Sequence, residues 1–519
     1  MPRLTFILAC CNVWLFSAAA QAGPLAVEID RLIAAQAGGP VAAACDDATF
    51  LRRVYLDFAG EIPTADVTRK FLADQSADKR AKLVESLLKG PHYARRMEEL
   101  FHVMLLERRG DNPEWSKFLR ESFAANQPWD QMVREIMRPD ESDEMKRGSA
   151  YFFTRRLEKV GEQDTDYPGL TRDVGRLFMG IDLQCAQCHN HLFIEEYKQV
   201  DFQGLYTVFS NTFIRRDTKF PAIGEKPLTA KLEFVSVFDE EKKAVGPRIP
   251  FGKEFEVPKP VPKGQTAPSM LALLAESMPT AENDLFVKNA VNRLWFVMMG
   301  RGLVHPLDVN HGGNPPSHPE VFDLLAREFV AHKFDIQWLL GELAQTQTYA
   351  RSSQIPGEKV PPPESFTVAL EKRISAEQLL RNILLATGDA TQSSDSAEFA
   401  KAYDALRPKF LKAFANPAKE PEDSYNATVQ GALFLLNDPD VEKLFEPTAN
   451  NLVARLSQLS DVNQLADELF LTVLVRYPTA DERAEVSSLL SSLSAERRPV
   501  AIRHLTWALV ASMEFSVNH

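Results

Sequence analysis

The sequence predicts a mainly α-helical protein, with multi-helical N- and C-terminal domains and a small β-rich insert between them. Three observations carry that prediction. Apolar residues recur at spacings of three and four over residues 46–210 and again over 267–519, the repeat that buries one face of a helix. Between 215 and 262 the period gives way to prolines and short apolar runs, the pattern of strands and turns. A length of 519 residues also exceeds what one hydrophobic core usually organises, so more than one domain is expected.

Taken in order, residues 1–22 read as an export signal. Arg3 supplies the positive start, Leu4 to Phe16 the apolar centre, and Ala20-Gln21-Ala22 a small-x-small cleavage site. Cys10 and Cys11 would leave with that segment, so Cys45, Cys185 and Cys188 are the cysteines of the mature chain. Phe50, Leu51, Val54, Tyr55 and Phe58 share a helical face that ends at Gly60-Glu61-Ile62-Pro63. Thr64 opens a second helix, Ser76 a third that stops at Gly90-Pro91, and Tyr93 to Leu106 form a fourth. Arg52-Arg53 and Arg95-Arg96 read as helix-face charges paired with Asp57 and with Glu98 or Glu99. Further helices carry Trp115 and Trp129, and Leu170 to Met179 and Glu195 to Phe209 bracket a short string at 185–191.

In the insert, KLEFVSVF (231–238), GPRIPF and GKEFEV read as short strands around the turn Asp239-Glu240-Glu241-Lys242, and VPKPVPKG (257–264) as a linker. Helix resumes at Ser269, and Phe286, Ala290, Leu294 and Val297 share a face before Gly300-Arg301-Gly302 breaks it. The loop from Asp308 to Pro319 is rich in Gly, Asn and His, which makes it a candidate site lining. A second linker lies near 354–365. Beyond it, Ser375 with Gln378 and Thr479 with Glu482 form capping boxes, and a last helix runs through Trp507 to Phe515.

The chemistry concentrates in Cys185-Ala186-Gln187-Cys188-His189-Asn190-His191. Cys-x-x-Cys-His is the string for covalent c-type haem: two thiols form thioethers with the vinyl groups, and the adjacent imidazole takes an axial position on the iron. Cys185 and Cys188 would be the thioethers and His189 the iron ligand of a haem c. His191 is too near in sequence to reach the opposite face, so a distal ligand would come from Met179, His102 or His311. Haem attachment in bacteria takes place outside the cytoplasm, so the export signal and the string support each other. Zinc is the alternative, with Cys185, Cys188, His191 and Cys45 as its ligands.

A third reading is a metal-free secreted binding or interaction protein with a 185–188 disulfide, acting on or binding polysaccharide. Arg53, Asp57, Asn292, Arg293 and Asp308 are its polar residues, although ion pairs and helix caps are the simpler account of each. No Gly-x-Ser-x-Gly, His-Glu-x-x-His or phosphate loop is present. A net charge of −12 argues against nucleic acid as a partner. No later run of apolar residues is long enough to span a bilayer, so the expected location is periplasmic or secreted, and the expected partner a redox protein or another secreted protein.

Longer strings resemble the planctomycete cytochrome-type secreted proteins, in which a cytochrome-like domain of unknown function precedes a planctomycete-specific C-terminal domain. FLRRVYLDFAGEIPT (50–64), LLKGPHYARR (87–96) and LQCAQCHNHLF (183–193) resemble the first domain. NAVNRLWFVMMGRGLVHPLDV (289–309), NPPSHPEVFDLLAREFV (314–330), TQTYARSS (346–353), LFLLNDPDV (433–441), VRYPTADE (475–482) and WALVASMEFSVNH (507–519) resemble the second. Two departures stand out: Leu192 occupies a position where the family often has proline, and Cys45 is additional. The resemblance implies an exported, mainly helical, haem-associated protein and brings no substrate with it.

Overall fold

The structure, a computed structural model, describes residues 23–519 except Val160, Gln163, 260–266, Gln392, 422–428, Ala449 and Ala495. The expected export signal over 1–22 lies outside the described residues. Helix accounts for 54% of the structure, and the sheets among the described residues are all two-stranded. No helix among them is long and apolar enough to cross a membrane.

Local chemistry explains where the helices start. The Asp46 carboxylate accepts from the Thr49 amide at 2.8 Å and caps the Asp47–Phe58 helix. Thr64 caps Ala65–Ala73 in the same way. The third helix begins at Lys79 rather than just after Ser76, because the Ser76 amide and hydroxyl both donate to Asp74 Oδ1 and form a local turn instead. Gly90-Pro91 ends that helix and also starts the next, with Pro91 as the first residue of Pro91–Leu106. Both expected capping boxes form, at Ser375 and Gln378 and at Thr479 and Glu482.

In the insert, Thr212–Ile214 pairs antiparallel with Ile223–Glu225, and Leu232–Phe234 with Lys243–Val245. GKEFEV contributes only a single bridge, Glu254 to Arg248. The sequence gives no sign of the pairing between Lys372–Arg373 and Val517–Asn518, which brings the last described residues onto the middle of the chain.

Two hydrophobic cores result. One runs from Leu25 to Phe366 and the other gathers residues from Ile374 to Phe515, so they part just beyond the linker expected near 354–365. The Asp47–Phe58 helix serves both. Phe50, Val54 and Phe58 enter the first core, and Leu51 and Leu56 the second.

The polar residues of this helix correct a sequence expectation. Arg53 does not pair with Asp57; its guanidinium donates to the carbonyls of Tyr349, Arg351 and His519. Arg52 donates to the Phe515 carbonyl at 2.7 Å. Asp57 accepts from Lys372 Nζ at 2.8 Å, from the Tyr349 hydroxyl at 2.7 Å and from Asn518 Nδ2 at 2.9 Å. The next arginine pair behaves alike, with Arg95 on Glu61, Glu98 on Arg120 and Glu99 on Arg381. The reason is burial. Exposed helix faces favour i,i+4 pairs, whereas buried charges must be satisfied by whatever the neighbouring elements present.

Removing one partner of the Asp57–Lys372 pair leaves a buried charge unmatched, so Asp57→Ala should lower unfolding free energy by about 3–5 kcal/mol. Urea denaturation of wild type, Asp57→Ala and the double variant Asp57→Leu/Lys372→Met tests this, and the double variant should recover much of the loss. Acid sensitivity comes from other buried carboxylates. Burial pushes the Asp173 and Glu377 carboxyls up, but Arg156, Arg109 and Arg176 around Asp173, and Arg108 beside Glu377, outweigh it and hold both below the ordinary carboxylate range. Their contribution is complete above the unfolded carboxylate value of about 4 and is lost as pH falls through the lower folded values. The urea midpoint should therefore fall less steeply below pH 5 in Glu377→Gln than in wild type.

Candidate functional site

The Tyr167–Met179 helix ends at Gly180, whose φ of 67° is the left-handed cap that glycine adopts without strain. Ile181 then bridges Val309, and Cys185–Gln187 form one 3-10 turn. The amides of Cys188 and His189 both donate to the Cys185 carbonyl, at 3.2 and 3.4 Å. Residues three apart eclipse in a 3-10 turn, so the two thiols emerge on one side while Ala186 is buried. Both thiols are exposed and unbridged. Gln203 Nε2 holds the Gln187 carbonyl at 2.8 Å, and Asn190 Oδ1 accepts from the Gln199 amide at 2.9 Å, which fixes the turn on the Gln199–Phe209 helix.

His189 Nδ1 lies 2.7 Å from the Asn190 carbonyl. A carbonyl only accepts, so Nδ1 carries the proton and Nε2 presents its lone pair. The ring rests 4.7 Å from that of Phe238. Phe238 comes from the insert, whose 235–238 segment is tied to the motif by the Val237 amide on the Cys188 carbonyl and by Gln199 on the Val235 carbonyl. Phe238 is 67% exposed and Val237 66%, while Phe193 on the motif's own loop is 92% exposed. Two thiols and a ligand-ready imidazole thus open into an uncovered apolar collar. That donor set and surround fit a covalently held haem, which needs two thioethers, one axial nitrogen and apolar contact for its macrocycle.

His191 plays another part. Its Nδ1 accepts from the amides of Phe193 and Ile194, at 3.2 and 2.9 Å, so that nitrogen is engaged in shaping the loop. Cys45 is buried far along the chain, its amide on the Ala350 carbonyl and its carbonyl accepting from Arg80, and burial pushes its thiol up. Among the described residues no three His, Cys, Asp or Glu side chains are grouped to hold a metal ion.

The distal candidates separate clearly. Met179 is fully buried in the first core, and His102 Nε2 lies 3.1 Å from Asp111. His311 is brought beside the motif. Its ring meets Tyr197 at 5.8 Å, Tyr197 meets His191 at 6.0 Å, and the Tyr197 hydroxyl donates to the Asn310 carbonyl at 2.9 Å. The Asn310 amide on the Gly180 carbonyl and the Gly312 amide on Glu196 complete the seam, so the polar 308–319 loop does line the motif. Asn292 instead pins the Val304 backbone, and Arg293 pairs with Asp308. The collar was missed in the sequence, although Leu192-Phe193 directly after the histidines and the VSVF end of the strand string are its apolar signal.

Residues 28–213 match the family model PSCyt2, protein of unknown function (DUF1549), and residues 272–405 match PSD1, protein of unknown function (DUF1553). No curated protein and no solved structure matches the chain. The chain therefore carries the planctomycete cytochrome-like domain followed by the planctomycete-specific C-terminal domain, in the order that its motifs imply.

Proposed function

We propose that this is an exported, periplasmic or secreted cytochrome-like protein that holds haem c through Cys185 and Cys188, with His189 as axial ligand and a role in electron transfer. The observation that carries the reading is the side chains of one turn: two exposed thiols three residues apart, and a His189 ring whose Nδ1–H is fixed by the Asn190 carbonyl, which leaves Nε2 as the ligating nitrogen. Bound there, the haem would supply one-electron redox chemistry.

The chain's own contributions are distinct. The 3-10 turn holds the thiols in register, Asn190 fixes the tautomer of His189, and Phe238, Val237 and Phe193 offer exposed apolar surface that a bound macrocycle would cover. Of the three distal candidates His311 is the favoured second ligand, because its loop is seated next to the motif; the Gly313 amide donates to its Nδ1 at 3.1 Å, so ligation would use Nε2. The engaged Nδ1 of His191 and the remote, buried Cys45 weigh against the zinc set. A redox protein or another secreted partner would meet the exposed collar.

The full chain, exported in cells that have haem-maturation machinery, should show a Soret band and keep its haem after denaturation. Cys185→Ala or Cys188→Ala should abolish covalent retention, and His189→Ala should change the spectrum. A colourless wild-type chain under those conditions overturns the reading. The two other histidines should divide: His191→Ala leaves attachment intact, whereas His311→Ala leaves attachment intact but shifts the Soret position or the reduction potential, read by spectroelectrochemistry.

A further inference from the structure

A cleft of about 320 Å³ lies where the Pro91–Leu106 and Asp284–Met299 helices meet the chain around Lys372 to Gln378. Leu100, Val103, Phe296 and Val297 give it an apolar wall. Its charged residues are mostly spoken for. Asp57 is bound to Lys372, Glu99 to Arg381, Glu377 to Arg108, and Asp308 to Arg176 and Arg293.

Arg96 is the exception. It lines the cleft, is 8% exposed, and makes no ion pair or hydrogen bond with any described residue; its Nε is wholly buried without a partner. Gly60, at φ 72°, leaves room for its stem, since a Cβ there would come within 3.0 Å of Arg96 Cδ. A buried guanidinium with nothing to bind is costly, and its planar fork matches a carboxylate bidentately.

We propose that this cleft binds a small organic molecule bearing a single carboxylate, with Arg96 as the anchor of the carboxylate and the apolar wall receiving its body. A monoanion fits better than a phosphate or sulfate dianion. Arg96 brings a single guanidinium without a salt bridge, and the surrounding carboxylates of Asp57, Glu99, Glu371 and Glu377 would oppose a second negative charge. The volume sits at the lower end of the roughly 300–1,000 Å³ typical of ligand sites, which limits the body to about one ring. This inference stands on the cleft alone and does not depend on the haem reading.

Calorimetry on the full chain with benzoate, cyclohexanecarboxylate and D-glucuronate tests it, with benzamide as the neutral counterpart and phosphate as the dianion. At least one carboxylate should bind one-to-one, benzamide and phosphate at least tenfold more weakly, and the third probe tells whether the body is apolar or hydroxylated. Arg96→Gln should weaken that carboxylate at least tenfold, and Arg96→Lys by an intermediate factor. Should both variants fail to fold, phenylglyoxal labelling of wild type followed by peptide mass spectrometry replaces them, and the bound carboxylate should protect Arg96. Absence of binding by all three carboxylates, phosphate binding as tight as theirs, or binding indifferent to Arg96 or without protection of it overturns the proposal.

Discussion

The structure depends first on the buried ion pair of Asp57 with Lys372. Asp57 sits on a helix that enters both hydrophobic cores, and its carboxylate is also held by Tyr349 and Asn518. Four stretches remote in sequence therefore meet at one side chain. Burial drives the Lys372 ammonium down and the Tyr349 hydroxyl well up, which measures how dry the junction is. Such a pair adds little net stability over apolar residues of the same shape, but breaking it is expensive. What the pair does is tie the helix shared by the two cores to Lys372, Tyr349 and Asn518 at once. Asp57, Tyr349 and Asn518 also lie in the strings FLRRVYLDFAGEIPT, TQTYARSS and WALVASMEFSVNH, so the strings that resemble the family most fully are here packing strings.

A second charged lattice joins the helix that leads to the cysteine turn to the start of the 308–319 loop. Arg156 and Arg109 hold Asp173, Arg109 holds Glu107, and Arg176 joins Glu107, Asp173 and Asp308, which Arg293 closes from the next helix. Burial draws Arg156 down to about 10 even with Asp173 against it. Because Asp308 opens the 308–319 loop and Arg176 lies on the helix leading to the motif, this lattice sets where His311 stands relative to Cys185 and Cys188. Hydrogen-bonded charges in a shared low-dielectric space reinforce one another, so the network anchors the start of a loop that its own turns and the seam with Gly180, Glu196 and Tyr197 then hold.

What could be read from the residues follows from how local each determinant is. Thr64, Ser375 and Thr479 satisfy helix amides three residues away, so their helices were legible. The thiols and imidazole of Cys185, Cys188 and His189 lie within one turn, so their shared chemistry was legible too. Ser76 misled because Asp74, two residues earlier, offered its amide a nearer acceptor than a helix start. The partners of Arg52, Arg53 and Asp57 lie hundreds of residues away, and no spacing encodes a carbonyl at Tyr349 or Phe515. Arg96 is the sharpest instance. In sequence it is one of two adjacent arginines, and only the fold separates Arg95, whose terminal nitrogens pair with Glu61 and Asp395, from a neighbour with no ion pair among the described residues.

At the cysteine turn the chain keeps apolar surface uncovered beside two exposed thiols: Phe193, Val237 and Phe238 are all well exposed. Exposed aromatic surface of this kind is costly unless something covers it. The choice of acceptor for His189 points the same way. A carboxylate at Nδ1 would add charge beside the ring, whereas the Asn190 carbonyl fixes the proton on Nδ1 without adding any. Since that carbonyl belongs to the next residue, the tautomer is set within the motif itself and needs no help from the second core. The geometry of the thiols and of His189 is thereby local to residues 185–190, and what the rest of the protein adds is the neighbouring 308–319 loop and the exposed apolar residues of the insert.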